Sequence, residues 1–228
     1  LGIALLDHGA GATARPRSVE QLMWEVSKRT SIHVREKPVM VAPSSPKLFD
    51  HPLIIWVGTG DCPPFNEAER NQLRRFLRSG GTLFIDDASG PGEDDFDRCV
   101  RREMKAVWPT QAWQVFNNDH TMFRSFYLLQ KPEGRLSRQD YLEGIYFDDR
   151  SPVIYSRNDL LGALSRAELG GWSLPVIPGG NAQRERAFRL GINLVMYATC
   201  LNYKRDQVHV TAILRRRRWR IENPKPAR

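Results

Sequence analysis

The chain has 228 residues, of which 41% are hydrophobic and 26% are charged, and its formal net charge is +8. A chain of this length and apolar content fits one sizeable domain with its own core. No uninterrupted apolar stretch approaches the ~18 residues of a membrane-spanning helix, which excludes a transmembrane segment in this chain.

Four short apolar runs predict the strands of a sheet. They are IALL (3–6), PLIIWVG (52–58), TLFID (82–86) and PVIYS (152–156). Continuous apolar runs are typical of parallel strands that are buried on both faces, and their spacing requires crossover helices. The sequence therefore predicts a doubly wound α/β fold, with a mostly parallel sheet and helices on both faces.

Two of the predicted helices begin with capping patterns. Ser18 followed by Gln21 predicts the start of a helix in SVEQLMWEVSKRT, because these side chains satisfy free N–H groups at a helix end. Asn66 followed by Glu69 predicts the same start for NEAERNQLRRFLRSGG, and the glycine pair ends that helix.

Two later helices follow from the spacing of apolar residues. In FDRCVRREMKAVW the apolar residues recur at helical spacing and form one stripe, consisting of Phe96, Val100, Met104 and Val107. The last helix, QRERAFRLGINLVMYATCLN, is apolar on more than one face from Phe188 onward. We expect it to be sandwiched between other elements, with Gly191 allowing close packing.

Two long segments, 130–143 and 157–181, show no regular pattern. Loops of this length in a compact domain are usually functional or bind a partner. These segments are therefore candidate contact surfaces.

Polar residues follow the first three predicted strands at their carboxyl ends. Ligands of open parallel sheets bind at this edge, so these residues are expected to line one crevice. Arg102 is added because it lies near Asp86 and Asp87 in the sequence. The predicted ligand-binding residues are Asp7, His8, Gly58, Thr59, Gly60, Asp61, Asp86 and Arg102.

The order of strand, GTGD loop, helix, GG turn and strand carries a family resemblance. LIIWVGTGDCPPFNEAERNQLRRFLRSGGTLFIDDA resembles the trehalose-utilisation-like branch of the class I glutamine amidotransferase-like superfamily. The chain looks closer still to an uncharacterised bacterial domain-of-unknown-function family, number 4159. That similarity rests on EVSKRTSI, LFDHPLIIWVGTGD, GGTLFIDD, FDRCVRREM, DHTMFRSFY, PVIYSRNDL and RLGINLVMYA, and it extends to about Leu201.

The resemblance implies a flavodoxin-like fold and a single amidotransferase-like domain over residues 1–214. It places Asp87 near the elbow at which an amidotransferase carries its nucleophilic cysteine. A carboxylate is a weak nucleophile where a thiolate is a strong one, and Cys62 lies on a different loop, before two prolines. Glutamine amidotransferase activity is therefore not expected.

Two kinds of chemistry remain open for Asp87. It can act with His120 of NNDHTMF as an acid–base pair if the two side chains meet within hydrogen-bond reach. Alternatively, carboxylates of this stretch can bind a divalent cation; apart from this cation, no cofactor is predicted. The acidic residues of that alternative are Asp86, Asp87, Glu93, Asp94 and Asp95.

A structural role competes with both kinds of chemistry. Side chains alternate along a strand, so Asp86 and Asp87 face opposite ways and at most one points into the crevice. We expect the other, Asp86, to bind a backbone group or an arginine such as Arg101 or Arg102. His120 has a comparable alternative, in which it caps the following TMFRSFY segment.

The last fourteen residues carry most of the positive charge. The segment 215–228 holds seven Lys or Arg residues and one acid, a local charge of +6 that leaves +2 for the rest. Such a tail binds nucleic acid, an anionic membrane surface or an acidic protein, or it is simply solvated. The arginines of the proposed anion contact are Arg215, Arg216, Arg217, Arg218 and Arg220.

The compartment is suggested by the resemblance and not by the cysteines. Cys62, Cys99 and Cys200 are odd in number and widely spaced, which predicts neither a disulfide framework nor a metal-binding cysteine motif. The resemblance implies export to the bacterial periplasm or association with a membrane. A chain that starts at Leu1 agrees with a removed leader or anchor.

Three functional hypotheses follow. The first is a non-catalytic or degenerate amidotransferase-like domain that binds a small molecule or a protein at the carboxyl edge of the sheet. The second is a hydrolase or isomerase that acts on a sugar-like or peptide-like substrate through Asp87 and His120. The third is binding of nucleic acid or another anionic surface through the basic tail.

Overall fold

One mixed sheet organises the chain in the computed structural model, which describes residues 1–9, 15–34 and 37–199. Within these ranges the sheet has seven strands: β1 (Ile3–Leu6), β2 (Val39–Val41), β3 (Leu53–Gly58), β4 (Thr82–Asp87), β5 (Trp113–Val115), β6 (Glu143–Phe147) and β7 (Arg150–Ser156). The α-helices are α1 (Pro16–Arg29), α2 (Glu67–Arg78), α3 (Asp95–Val107), α4 (Leu160–Ala163) and α5 (Gly180–Thr199). Short 3₁₀ helices cover Pro46–Asp50 and Thr121–Arg124.

The strand order confirms the predicted fold class. The sheet runs β2-β1-β3-β4-β7-β6-β5, and its first five strands pair in parallel. That part follows the flavodoxin-like order 2-1-3-4-5, with β7 in the fifth position. β6 and β5 pair antiparallel and extend the far edge.

Helices cover both faces of the sheet because alternate strand residues point to opposite sides. On one face, Leu5 of β1 belongs to the same core cluster as Leu22 of α1 and Leu194 of α5. On the other face, Leu6 of β1 shares a core cluster with Phe76 of α2 and with α3. The chain is thus doubly wound, as the apolar runs predicted.

One of the two predicted helix starts is confirmed and the other is wrong. At α2, Asn66 Oδ1 accepts the Glu69 N–H at 3.0 Å and Glu69 accepts the Asn66 N–H at 2.8 Å, which completes the capping box. α1 instead begins at Pro16, and Ser18 is buried within its first turn. Proline is pre-organised for the first helical position and needs no N–H partner there, so the helix starts two residues earlier.

The later helices pack as their apolar spacing predicted. The stripe of α3 is buried from Phe96 to Val107, and α5 is buried on several faces. A Cβ at Gly191 would lie 2.7 Å from Leu22 Cδ1. Glycine at that position therefore lets α5 approach α1 closely.

A disulfide bond corrects the interpretation of the cysteines. Cys62, after β3, is bonded to Cys99 of α3, with Cα atoms 5.7 Å apart. The two residues are separated by 37 positions in the chain, and only the packing of α3 beside the β3 loop brings them together. Cys200 lies outside the described residues.

The described part of the chain forms one compact unit, Leu1–Ala198. Residues from 200 onward, including the predicted domain end at 214 and the basic tail, lie outside the described residues. Across the ranges that are described, no helix combines the length and apolar content that a bilayer crossing requires.

Candidate functional site

Asp87, at the end of β4, is held by two arginines. Its Oδ2 accepts hydrogen bonds from Arg138 Nη1 and Arg157 Nε, each at 3.2 Å. Its Oδ1 accepts the Ser89 N–H at 2.9 Å. The carboxylate is fully buried, and the arginine side chains are only 14% and 15% exposed. Asp87 is therefore a neutralised buried anion, without a free oxygen lone pair directed at solvent.

The same two arginines close the glycine turn that follows β4. Arg157 bonds Asp94 and Arg138 lies 3.5 Å from it. Arg138 also donates to the carbonyl oxygens of Ser89 and Glu93, at 3.4 and 3.1 Å. The pKa of Asp94 is lowered mainly by the hydrogen bond from Arg157 and further by the positive charge of that arginine. The turn between β4 and α3 is thus fixed by two guanidinium groups.

Asp86 points to the opposite side of the strand and binds backbone groups. Its two carboxylate oxygens accept the N–H groups of Leu160 and Leu161, at 2.7 and 2.8 Å. It is fully buried. Burial raises the pKa of Asp86 to about 7, the nearby Asp159 adds to the rise, and the two N–H groups oppose it. Asp86 therefore satisfies the first N–H groups of α4, and Arg101 and Arg102 bind other partners.

Asp159 forms a second buried carboxylate beside Asp86. Its backbone is left-handed, with φ 52°, and its side chain accepts the Gly162 N–H at 2.9 Å. Arg15 lies 2.7 Å from one carboxylate oxygen and Arg135 contacts the other. Burial raises the pKa of Asp159, whereas the two arginines lower it.

The long segment 130–143 lies against the carboxyl ends of β4 and β7. Asn158, which follows β7, accepts the N–H groups of Arg138 and Gln139, both at 2.9 Å. Its Nδ2 donates to the carbonyl oxygens of Pro132 and Gln139. A Cβ at Gly134 would overlap the backbone of Asn158. One buried asparagine therefore clamps this loop to the edge of the sheet at which parallel sheets bind ligands.

A cavity of about 510 Å³ opens beside the clamped loop. Its lining contains cationic, acidic, hydroxyl and amide groups, and Gln139 Nε2 donates to Tyr141 Oη at 3.1 Å. The volume falls within the range of small-molecule sites. The lining residues are Lys131, Pro132, Ser137, Arg138, Gln139, Asp140 and Tyr141.

Residues 2–199 match the profile of a family described as "Domain of unknown function (DUF4159)". The chain belongs to this family. No curated protein matches it. The DUF4159 match covers both strands that end in the buried carboxylate network, together with the loop that carries the cavity.

In this DUF4159 domain His120 and Asp87 lie at opposite ends of β7. His120 Nε2 is 3.5 Å from Ser151 Oγ, near the start of that strand. Asp87 contacts Arg157, directly after the strand ends. Ser156 lies five positions after Ser151 along the strand, which corresponds to about 17 Å. The structure thus does not bring together the two groups that the acid–base hypothesis required within hydrogen-bond reach.

His120 caps the TMFRSFY segment, which was the predicted alternative to a catalytic role. Its Nδ1 accepts the Met122 N–H at 3.1 Å, at the start of the 3₁₀ helix Thr121–Arg124. Its ring stacks on Phe116, with centroids 3.8 Å apart.

The predicted residues after β1 separate in the structure. Asp7 is exposed, and its N–H donates to the Val41 carbonyl oxygen at 2.9 Å. His8 is buried and stacks on Phe65 with a centroid distance of 3.8 Å. Burial lowers the pKa of His8. Its position in an aromatic cluster with Trp56 indicates a packing role.

The GTGD loop after β3 is also used for packing and for local contacts. Gly58 is buried, and a Cβ there would overlap the Phe96 ring. The carbonyl oxygen of Thr59 accepts a hydrogen bond from Ser89 Oγ at 3.2 Å, which joins this loop to the turn after β4. Gly60 is partly exposed.

Asp61 and Arg102 form an exposed pair beside the disulfide. Arg102 Nη1 donates to Asp61 Oδ1 at 3.0 Å, and Arg102 Nε donates to the buried Glu103 at 2.7 Å. The pKa of Asp61 is lowered mainly by the hydrogen bond from the Cys62 N–H, and further by the hydrogen bond from Arg102. The structure therefore brings these two predicted residues together, on the side of α3 that carries Cys99.

The carboxylates of the cation alternative are already engaged. Each of them accepts a hydrogen bond from a backbone N–H or forms an ion pair with an arginine, and these residues are Asp86, Asp87, Glu93, Asp94 and Asp95. In the described part of the chain, one cluster has the spacing of metal ligands, namely Asp61, Cys62 and Cys99. Its two sulfur atoms form the disulfide.

The sequence analysis missed the residues that follow β7. Arg157, Asn158 and Asp159 bind Asp87, clamp the loop and begin α4, respectively. A signal was present, because PVIYS is a predicted parallel strand whose carboxyl end reads RND. The carboxyl ends of parallel strands share one edge, so this fourth strand adds its RND residues to the same edge as the other three.

Proposed function

We propose that this domain is a non-catalytic binding domain for a small ligand, and that the ligand occupies the cavity beside the clamped loop 130–143. The observation that carries the proposal is the position of that cavity, at the carboxyl edge of a parallel sheet, next to the Arg138 that binds Asp87. Ligands of this sheet class bind at that edge.

The state of Asp87 supports a binding role over catalysis. A general base needs a free lone pair within reach of substrate, whereas Asp87 is buried and bonded to two arginines and a backbone N–H. Its carboxylate instead holds Arg138, which lines the cavity. A degenerate amidotransferase-like origin agrees with a carboxylate at the elbow in place of a thiol.

The cavity lining favours an uncharged, hydroxyl-rich ligand of sugar size. Ser137, Gln139 and Tyr141 offer hydroxyl and amide groups that both donate and accept hydrogen bonds. Both cations of the lining already have an acidic partner, Lys131 in Glu133 at 3.4 Å and Arg138 in Asp87 at 3.2 Å. A ligand with several hydroxyl groups satisfies such a mixed lining without leaving a buried charge unpaired.

The test is isothermal titration calorimetry with glucose and trehalose as probes. We expect at least one probe to bind with a millimolar or lower Kd, and Asp140→Asn and Ser137→Ala to weaken binding. A lost hydrogen bond from a neutral group costs about 1 kcal/mol, and one from a charged group costs more. Absence of binding by both sugars would rule out this ligand class.

The matched control is Asp149→Asn. Asp149 is exposed and lies in the turn before β7, at the end of the strand opposite the cavity. It should bind the probes like the wild type. Equal weakening by Asp149→Asn and Asp140→Asn would contradict the location of the site.

We also infer that the domain works in an oxidising compartment, such as the bacterial periplasm. The support is the Cys62–Cys99 disulfide, because structural disulfides persist in exported proteins and are rare in the reducing cytosol. The proposal that the tail arginines bind an anionic partner stays a prediction, since residues 215–228 lie outside the described part of the chain.

A further inference from the structure

A second cavity runs along the outer face of α1, away from the clamped loop. Its volume is about 850 Å³. Seven of the lining residues belong to α1, one follows that helix and one comes from the segment after α4. The lining residues are Arg17, Glu20, Gln21, Met23, Trp24, Ser27, Lys28, Val34 and Arg166. We call this cavity the α1 groove.

Trp24 provides an aromatic surface in the α1 groove. The residue is 54% exposed, although indole rings normally contribute their area to a core or an interface. Lys28 Nζ lies 5.7 Å from the centroid of the ring. The Lys28 ammonium therefore lies over one face of a half-exposed aromatic ring.

Arg166 also lines the groove and is held in place by a small hairpin. Its backbone bridges Trp172, and the Ser173 N–H donates to the Ser165 carbonyl oxygen at 2.9 Å. Arg166 Nη1 donates to the Gly170 carbonyl oxygen at 2.8 Å. The hairpin thus fixes the direction of this guanidinium group before any ligand arrives.

Two arginines enclose the Trp172 ring. The guanidinium carbons of Arg166 and Arg184 lie 3.7 and 4.2 Å from the ring centroid. Arg184 is buried and donates to the carbonyl oxygens of Ala163 and Leu174. In the part of the chain that the structure describes, neither arginine has a carboxylate partner. This wall consequently carries two guanidinium groups, and the acid of the hairpin, Glu168, pairs with Arg17 instead.

The groove lining as a whole is cationic. Arg17, Lys28 and Arg166 face a single acid, Glu20. Arg17 bonds Glu168 at 2.9 Å, but both side chains are largely exposed, so that pair is weak and exchangeable. From Arg17 to Lys28 the helix advances eleven residues, which corresponds to about 16 Å. The cations thus flank Trp24 over a length that accommodates a small molecule.

We propose that the α1 groove binds a small ligand that carries an oxyanion, either a carboxylate or a phosphate, on a planar ring. The planar ring stacks on the exposed indole of Trp24, as aromatic groups do in offset arrangements. The oxyanion accepts hydrogen bonds from Arg166, whose planar fork matches carboxylate and phosphate geometry. This site is separate from the cavity of the proposed function and does not depend on it.

The experiment compares two anionic probes with their neutral counterparts by isothermal titration calorimetry. AMP represents a phosphate on a ring and adenosine is its control; benzoate represents a carboxylate on a ring and benzamide is its control. We expect AMP or benzoate to bind at least tenfold more tightly than its neutral counterpart, because charge-assisted hydrogen bonds are stronger than neutral ones. Tighter binding of AMP would identify the oxyanion as a phosphate, and tighter binding of benzoate would identify it as a carboxylate.

Variants locate the binding site. Arg166→Gln and Trp24→Ala should each weaken binding about tenfold, and Lys28→Gln should weaken it with a smaller effect. Arg98→Ala is the control, because Arg98 is 69% exposed on α3 and pairs with Asp95. It should leave binding unchanged. Circular dichroism and thermal unfolding of each variant confirm that the fold is kept.

Two results would overturn the proposal. The first is that neither anion binds better than its neutral counterpart. The second is that an anion binds but Arg166→Gln, Trp24→Ala and Lys28→Gln all bind it like the wild type. Sugar binding at the loop cavity neither supports nor weakens this inference, because the two sites share no lining residue.

Discussion

Asp87→Asn is the substitution that best separates a structural role of the carboxylate from a functional one. The amide has the same shape and can still accept the Ser89 N–H, but it removes the negative charge between Arg138 and Arg157. Arg138 then keeps the partly exposed Asp94 and carbonyl oxygens as partners, and Arg157 keeps Asp94 and the more distant Asp97, at 3.8 Å. We expect the variant to be strongly destabilised.

The magnitude follows from the burial of the group. Asp87 is fully buried and its arginine partners are nearly so. Removing one partner of a buried ion pair typically costs about 3 to 5 kcal/mol, because the remaining charge is left uncompensated. Since Asp94 still neutralises part of this charge, the lower value of about 3 kcal/mol is expected. For a domain of this size that corresponds to a fall in Tm of roughly 6 to 12 °C.

Urea denaturation followed by circular dichroism measures this change. Asp119→Asn is the matched control, because Asp119 also pairs with an arginine, Arg124, but is 79% exposed. The control should lose less than about 0.5 kcal/mol. A loss of under 0.5 kcal/mol in Asp87→Asn itself would refute the reasoning and would return Asp87 to the list of candidate functional groups.

Three further predictions concern the disulfide, Asp86 and Gly58. Replacing Cys62 and Cys99 by serine should lower the free energy of unfolding by about 4 kcal/mol, because the disulfide closes a loop of 37 positions. Thiol titration of the unfolded wild type should find one free thiol before reduction and three after it. The pKa of Asp86 is raised to about 7, so the folded protein holds a proton that the unfolded chain releases between about pH 4 and pH 7. The stability that Asp86 contributes should therefore fall as the pH rises through that window, and the deficit of Asp86→Asn relative to wild type should shrink by about 1.4 kcal/mol per pH unit. Gly58→Ala should cost about 2 kcal/mol, because its Cβ would overlap the Phe96 ring.

Each of these predictions has a result that contradicts it. Three free thiols in the unreduced protein would remove the disulfide and with it the inference of an oxidising compartment. A deficit of Asp86→Asn that is the same at pH 5 and pH 7 would show that Asp86 keeps an ordinary pKa. An unchanged free energy of unfolding in Gly58→Ala would mean that the β3 loop does not pack on α3 as the structure describes. Gly92→Ala is the control for backbone strain without a steric clash, since φ there is 81° and a Cβ meets open space.

The two acidic residues at the end of β4 illustrate how alternation along a strand assigns roles. Asp86 and Asp87 are neighbours, yet one begins a helix on one side and the other neutralises two arginines on the opposite side. Both roles fix connections at the carboxyl edge. The edge is therefore built from a buried ion-pair network and from carboxylate–backbone hydrogen bonds, which together hold its loops.

The sequence by itself determined the fold class, the four longer helices and four of the seven described strands; β2, β5 and β6 were not predicted. The four apolar runs, the Asn66–Glu69 capping box and the stripe of α3 are local patterns, and local patterns report the periodicity of strands and helices. They led to a mostly parallel sheet with helices on both faces, which the structure confirms. The start of α1 was predicted wrongly, because Ser18 and Gln21 match a capping pattern although Pro16 already begins the helix.

Only the tertiary structure decided the partners of the buried charges. Arg138 and Arg157 lie 51 and 70 positions from Asp87, and Cys62 lies 37 positions from Cys99. No periodic pattern links residues at such separations. They meet because the strand order places β7 beside β4 and because α3 packs against the loop after β3. Pairing of this kind depends on the complete arrangement of the sheet and helices, and local sequence patterns do not specify that arrangement.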